Sequence, residues 1–450
     1  MKINLIIPFF FIIVSACSFD KKTGIWDGAE ILNEQLSKKE IKEKKFESVF
    51  NVDKSYQKVK QVDPKSLVKI KVPTKNNSWS QENFNNKNNI SNIFFNNNQK
   101  LIFKSQRLSK SLDFKSIYYF KKNIVSHDHR GTIFVYSIQS KKKILEYNFY
   151  KKKFKKFKKK IYLIVKDDVI YAADNLGYIY SIDINNNKVI WAKNFGIPFR
   201  SNIKIVNDTL ILANQDNVIF SIDKYTGEKK WEFSSSFTFL KTNFENSFLI
   251  DEKNNLLFFL NTSGELYSIN YLTRKINWVL NFKNSSTSGS ELFKGLPLVL
   301  EDNNLVVHTG NTIFNYDIFS GEKKWSKNIP INTKTVLSRT HVFLISKSNF
   351  LICLDLVSGK FIWSKNVDEQ IKIFNKKKLI SKIGSLKNLL IVDNKIFLFS
   401  EKGFLLIFNL KNGNIVDVYK ISKKGILSKP IFADGFMFVL NKNNKLLKFN

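Results

Sequence analysis

One distance recurs along this chain while the residues around it change. Asp or Asn stands eight positions ahead of Trp in five places: Asp183 and Trp191, Asp223 and Trp231, Asn270 and Trp278, Asp317 and Trp325, Asp355 and Trp363. A fixed spacing of this kind marks a structural unit used repeatedly. The stretch from Phe220 to Trp231 shows what the unit is. Val218, Phe220 and Ile222 alternate as in a short strand, a turn follows, and a second strand opens on Trp231. Asp223 can accept hydrogen bonds from the turn amides, and Gly227 can take the positive φ that a β-branched residue resists. Gly321, Gly359 and Gly413 hold the same slot, whereas Asn187 and Arg274 hold it in two other copies.

Two degenerate copies extend the series, Gln139 to Tyr147 and Asn409 to Asp417. A last inner strand, Leu446 to Asn450, matches Leu405 to Asn409, after which no outer strand follows. The Asp-type slots at 139, 183, 223, 270, 317, 355, 409 and 450 lie 38 to 54 residues apart, the size of a four-stranded blade. Eight units with seven outer strands between them predict a ring whose missing strand comes from upstream, with Lys100 to Ser105 as its source. The expected fold is all-β: an eight-bladed β-propeller of four-stranded antiparallel blades, occupying 76–450 and closed by an N-terminal strand. Closure removes the exposed edge that an open array would present.

Ahead of the repeat, Lys2 precedes an apolar run from Ile3 to Val14 that is too short to span a bilayer and has the layout of a secretory signal. Residues 1–16 are therefore expected to be removed. Val14-Ser15-Ala16-Cys17 resembles a bacterial lipobox, which makes Cys17 the expected acylation site; the alternative is an ordinary signal that happens to contain a Cys. Ser18 after the Cys resembles lipoproteins sent on to the outer membrane, with the body in the periplasm. Residues 17–75 carry none of the repeat and are rich in Lys and Glu, the composition of a tether that is partly disordered or helical.

The formal net charge of +35 would suit nucleic acid, but an exported protein seldom meets it. Much of the Lys excess falls in turns. From Lys151 to Lys160 the chain reads as eight Lys and two Phe, either an extended solvated connection, which is the preferred reading, or a basic and aromatic finger for anionic headgroups. Acylated Cys17 would leave Cys353 without a partner, inside an apolar strand, so no disulfide framework is expected and Cys353 reads as core. His127-Asp128-His129 falls in a solvated turn without a further ligand cluster, and His308 and His341 stand alone on strands. No nucleophile motif, phosphate loop or recurrent carboxylate pair is present. Neither an enzyme, a metal nor a cofactor is called for.

Ser221-Ile222-Asp223 through Thr226-Gly227 to Trp231 resembles the repeat of quinoprotein-type eight-bladed propellers, and residues 79 to 450 most resemble the BamB family of barrel-assembly lipoproteins. Ser428 to Gly435 is similar to that family's C-terminus, and Ser288 to Leu292 to one of its interblade loops. The resemblance implies a scaffold that binds BamA and other barrel-assembly subunits, and nascent outer membrane proteins, through loops that map to Leu240 and Lys241 and to Ser290 and Glu291. Lys241 stands where the family has Arg, and Phe293 to Pro297 lacks the family's acidic pair. A quinone-dependent dehydrogenase on the same fold is the alternative from another class. Those enzymes commonly show adjacent cysteines, which this chain lacks. A third reading is an envelope propeller with another partner, such as cell-wall glycan.

Overall fold

The computed structural model describes residues 55–60, 68–96, 98–109, 116–150, 154–237, 244–283, 293–331, 333–374 and 377–450. Among these, strands β1 to β32, numbered in chain order, form eight four-stranded antiparallel sheets. In the third blade β10 (Lys204–Val206), β11 (Thr209–Ala213), β12 (Val218–Asp223) and β13 (Lys229–Ser234) follow one another from the axis outward. The eighth sheet breaks sequence order. Its strands run β30 (Ile431–Ala433), β31 (Phe436–Leu440), β32 (Lys445–Phe449), and then β1 (Leu101–Arg107) from the other end of the repeat. Lys104 faces Leu447, and Asn450 N–H donates to the Lys100 carbonyl at 3.0 Å. The expected closure is thus observed.

The repeat spacing has a geometric cause. Each Trp pairs across the outer hairpin with the residue two before its Asp or Asn, as in Ser221 with Trp231 and Asn315 with Trp325, and a one-residue irregularity follows at once. Asp223 Oδ1 accepts from Tyr225 and Thr226 N–H at 2.9 and 3.0 Å, and Asp317 makes the equivalent pair. In the first blade the same irregularity follows Val135 opposite Leu145. The unit there therefore runs from Ser137 to Leu145, two residues earlier than the expected Gln139 to Tyr147. Alternation with period two concealed the slip, because a shift of two keeps every side chain on its own face.

Glycine in the turn does more than adopt φ near +74°. A Cβ built on Gly227 would lie 2.5 Å from the Trp191 ring, and the equivalents on Gly321, Gly359 and Gly413 would meet Trp278, Trp325 and Trp363 of the preceding blade. The Trp of one blade thus occupies the space left by the Gly of the next. Three copies lack Gly at this slot. Asn187, at φ 54°, fits the rule because it follows a blade with Leu145 in place of Trp, while Lys141 in the first blade and Arg274 hold the slot at φ 57° and 62°. Indole N–H groups of Trp191, Trp278 and Trp325 donate to the carbonyls of Lys224, Ile318 and Leu356, one residue after the next blade's Asp. Trp363 departs from the expected pairing: it is fully buried and its Nε1 has no partner among the described residues.

Between the sixth and seventh blades the longest interval of the series holds two short helices, α1 (Val367–Ile373) and α2 (Ile380–Ile383). Asn366 caps α1 by accepting from Asp368 and Glu369 N–H. Val367, Ile371 and Ile383 pack on the core shared by those blades. Cys353 is fully buried in the same core, as expected, and burial pushes its thiol up. Tyr56 and Lys60, from the stretch expected to be tether, lie against the sixth blade. Lys60 pairs with Ser364, and Tyr56 is buried in the core of the fifth and sixth blades, its carbonyl accepting from Ser364 Oγ at 3.0 Å.

Candidate interaction surfaces and the filled channel

A propeller leaves the first strand of every blade with one row of unpaired N–H and C=O groups facing the axis. In this chain the Asn-rich stretch 76–96 supplies their partners. Trp79 exchanges both backbone bonds with Tyr119 of β2 (Ile117–Phe120), at 2.8 and 2.9 Å, and the Ser80 carbonyl accepts from Val165 of β6 (Ile161–Lys166). Asn86 Nδ2 donates to the Ile205 carbonyl of β10 at 2.8 Å. Asn88 Nδ2 donates to Phe248 of β14 (Ser247–Asp251) at 2.7 Å and to the Leu298 carbonyl, just before β18 (Val299–Glu301), at 3.0 Å. Asn89 makes two bonds to Leu337 of β22 (Val336–Ser338), donating at 2.9 Å and accepting at 3.1 Å. Ile93 and Asn76 complete the circuit at Ile391 of β26 (Leu386–Val392) and Phe432 of β30. All eight innermost strands, or their first flanking residue, are thus tied to one segment.

Asparagine suits this place because its amide carries the same donors and acceptors as the peptide edge it meets. The sequence reading places this stretch inside the propeller, ahead of the closing strand, and gives it no role of its own. Its one distinguishing signal was the density of Asn beside isolated Trp79, Ile90, Ile93 and Phe95, all of which are buried.

Charged groups at the axis are also held by this segment. Buried Lys204 donates to Gln81, the Asn85 carbonyl and Asn88, and Lys334 donates to the Asn88 carbonyl. Burial, and then the neighbouring ammonium, brings Lys204 down to about 7; burial followed by Lys429 does the same for Lys334. Glu82 is paired with Lys429 at 2.9 Å, which holds its carboxyl below the usual range.

Two cavities flank Glu82 and Asn83 where the blade connections meet the axis. One, of about 260 Å³, is lined by Phe244, Asn246, Phe248, Gly295, Pro297 and Lys204. Its neighbour, of about 200 Å³, is lined by Trp79, Ile90, Leu296, Thr333, Lys334 and Pro430. Of the residues expected to bind a partner, Leu240, Lys241, Ser290 and Glu291 lie outside the described residues, as does Cys17. The described residues that follow those two pairs do come together: Phe244 and Phe293 pack edge to face with centroids 5.2 Å apart, over Gly264, whose Cβ would strike Phe293. The first described residues after the two expected loops thus include one packed aromatic pair, with Phe244 also lining a cavity of mixed polar and apolar character.

A second surface escaped sequence reading. Tyr225, Leu272, Phe319 and Val357 each stand two residues after the Asp or Asn of four consecutive blades, and each is more than half exposed. The same slot is Gln139, Asn185 and Lys411 in the first, second and seventh blades, so the turn itself does not demand an apolar side chain. The apolar residues form an arc on one part of the rim.

Three of the four histidines are held within the fold. His127 is not in a solvated turn as expected: it ends β3 (Asn123–His127), half-buried, next to buried Asp128, which accepts from Arg130 and Thr132 N–H, and burial brings it down to about 4. His308 is brought down to about 3 by burial, and His341 Nδ1 meets the Lys69 carbonyl at 3.1 Å. Among the described residues no group of three or more His, Cys, Asp or Glu is placed to hold a metal ion.

Comparison with known proteins places this geometry. Residues 151–365 and 253–450 match the sequence model of the family described as outer membrane protein assembly factor BamB. No curated protein matches the chain in sequence. Among solved structures, BamB from Moraxella catarrhalis is similar at a TM-score of 0.61 with 12% identity, over 78% of this chain and 99% of that one. Quinohemoprotein alcohol dehydrogenase from Comamonas testosteroni is similar at 0.59 with 10% identity, over 83% and 80%. A europium-containing methanol dehydrogenase reaches 0.57 with 12% identity, over 81% and 89%. At these identities the structures share the fold, and the family follows from the sequence match over two thirds of the chain: this protein belongs to the BamB family of PQQ-repeat propellers.

Proposed function

We propose that this chain is a non-enzymatic scaffold of outer membrane β-barrel assembly, acylated at Cys17, held at the outer membrane and facing the periplasm. It binds BamA through the loops at 240–241 and 290–291, next in sequence to the Phe244 and Phe293 pair, and supports insertion of outer membrane proteins. The observation that carries the reading is the filled axis. Residues 76–96 run along the axis and take up the inner strand edges there, which puts rims and loops forward as the surfaces for recognition. Membership of a family described as an assembly factor supports the same reading. Apolar clefts and exposed loop residues suit the capture of another chain.

Copurification after mild solubilisation tests this. BamA is expected with the wild-type protein and is expected to be lost with Lys241→Glu; no BamA with wild type overturns the proposal. The dehydrogenase reading draws on the same fold, and a bound quinone band in the absorption spectrum of the purified protein would establish it instead.

A further inference from the structure

Between the outer strand of the first blade, β5 (Lys142–Asn148), and β6, the chain contains no carboxylate from Phe149 to Lys166. The described part of this connection is not the extended, solvated link expected from composition. It is a compact turn clamped at its base. Phe157 N–H donates to the Phe154 carbonyl at 3.1 Å, and buried Lys159 turns its ammonium onto that same carbonyl at 2.5 Å. Lys159 N–H donates to His129 at 2.8 Å, and Lys160 N–H to Asn175 Oδ1 at 2.9 Å, which fixes the base between the turns of the first two blades. Tyr150 packs into the space left by Gly131 and hydrogen-bonds Asp174.

What this clamp presents is unusual. Phe154 is 41% exposed and Phe157 61%, edge to face with each other at 6.2 Å, on a turn where Phe154 takes φ 56°. Left-handed backbone is uncommon for an aromatic residue; here Phe154 rests edge to face on buried Tyr150 at 6.3 Å, and much of both phenyl rings is left in solvent. Lys155, Lys156 and Lys158 beside them are exposed, and none is in an ion pair among the described residues. Two rings that gain by leaving water, flanked by cations with no local partner, match the headgroup layer of an anionic bilayer. Aromatic rings settle at its apolar boundary while the ammonium groups reach its phosphates. An acidic protein surface would satisfy the lysines, but it would need a pocket for both rings.

We propose that the Phe154 to Lys158 turn is a membrane-contact finger that docks one face of the propeller on anionic phospholipid. This does not depend on the partner assigned above.

The full chain carrying Cys17→Ser, which removes any acyl anchor, is sedimented with vesicles of phosphatidylcholine, with and without phosphatidylglycerol, at about 0.15 M salt. Binding is expected only with phosphatidylglycerol, weakening as salt rises. It should fall about tenfold in F154S/F157S and in K155Q/K156Q/K158Q, with melting midpoints unchanged because these side chains are exposed. A third variant, Phe157→Trp, should shift its emission to the blue with the anionic vesicles alone. Equal binding to both vesicle types, or binding unaltered in the double Phe variant, overturns the proposal. Loss of a copurifying acidic protein with vesicle binding intact also overturns it, by assigning the finger to a protein.

Discussion

Replacing Asn89 with Leu tests whether the axial segment holds the ring together. The side chain is buried, and its amide donates to the Leu337 carbonyl and to Glu301 and accepts from Leu337 N–H. Leucine is of similar size, so little packing volume is lost, but both backbone groups of Leu337 are left without their partner inside the channel. Glu301 retains Lys71 at 2.5 Å. An unpaired buried polar group costs about 1–3 kcal/mol, so two of them predict a loss of about 2–6 kcal/mol. Urea unfolding of the full chain, followed by tryptophan fluorescence, gives the difference. Asn185→Ala, on an exposed turn, is the control and should stay within about 0.5 kcal/mol of wild type. If Asn89→Leu behaves like the control, the channel contacts are not holding the blades, and the account of why this stretch is Asn-rich is wrong.

Other outcomes follow from the same structure. Trp325→Ala should cost about 3–5 kcal/mol, since it empties the space against Gly359 and removes one of the two donors to the Leu356 carbonyl; an unchanged thermal midpoint would contradict this. Gly227→Ala should be destabilising through both strained backbone and collision with Trp191, whereas Arg274→Gly should be tolerated or stabilising by up to about 1 kcal/mol; equal effects of the two would refute the interlock. Lys204 and Lys334 are lowered to about 7 in the fold from an ordinary value near 10.5, so between those values the unfolded chain binds more protons. Stability should therefore rise from pH 7 toward 9.5 and fall as pH drops toward 7. Lys204→Met should flatten that slope, and an identical slope in the variant would sink the assignment.

The repeat and its closure were legible because they rest on local chemistry. A turn acceptor, a residue tolerant of positive φ and a large aromatic stand within eight residues of one another, and each copy reports the same geometry. Two features were not legible. Trp191 packing on Gly227 joins neighbouring blades, so nothing within one unit reveals that the Gly leaves room for a ring. The axial segment is read even less easily, because Asn88 and Asn89 satisfy strand edges more than 150 residues away, and an Asn run has no periodicity to betray such partners. The finger was visible as composition alone. Whether Phe154 to Lys160 is a loose link or a shaped turn depends on Tyr150, Gly131 and Asn175, which belong to two different blades.

The assembly role is tested most directly by photocrosslinking in intact cells from probes placed at Leu240 and Glu291, with the captured protein identified by mass spectrometry. The account predicts BamA from both positions and no BamA from a probe at exposed Asn185. Capture of an unrelated envelope protein from both positions, or of nothing from either while the protein is folded and exported, would contradict it.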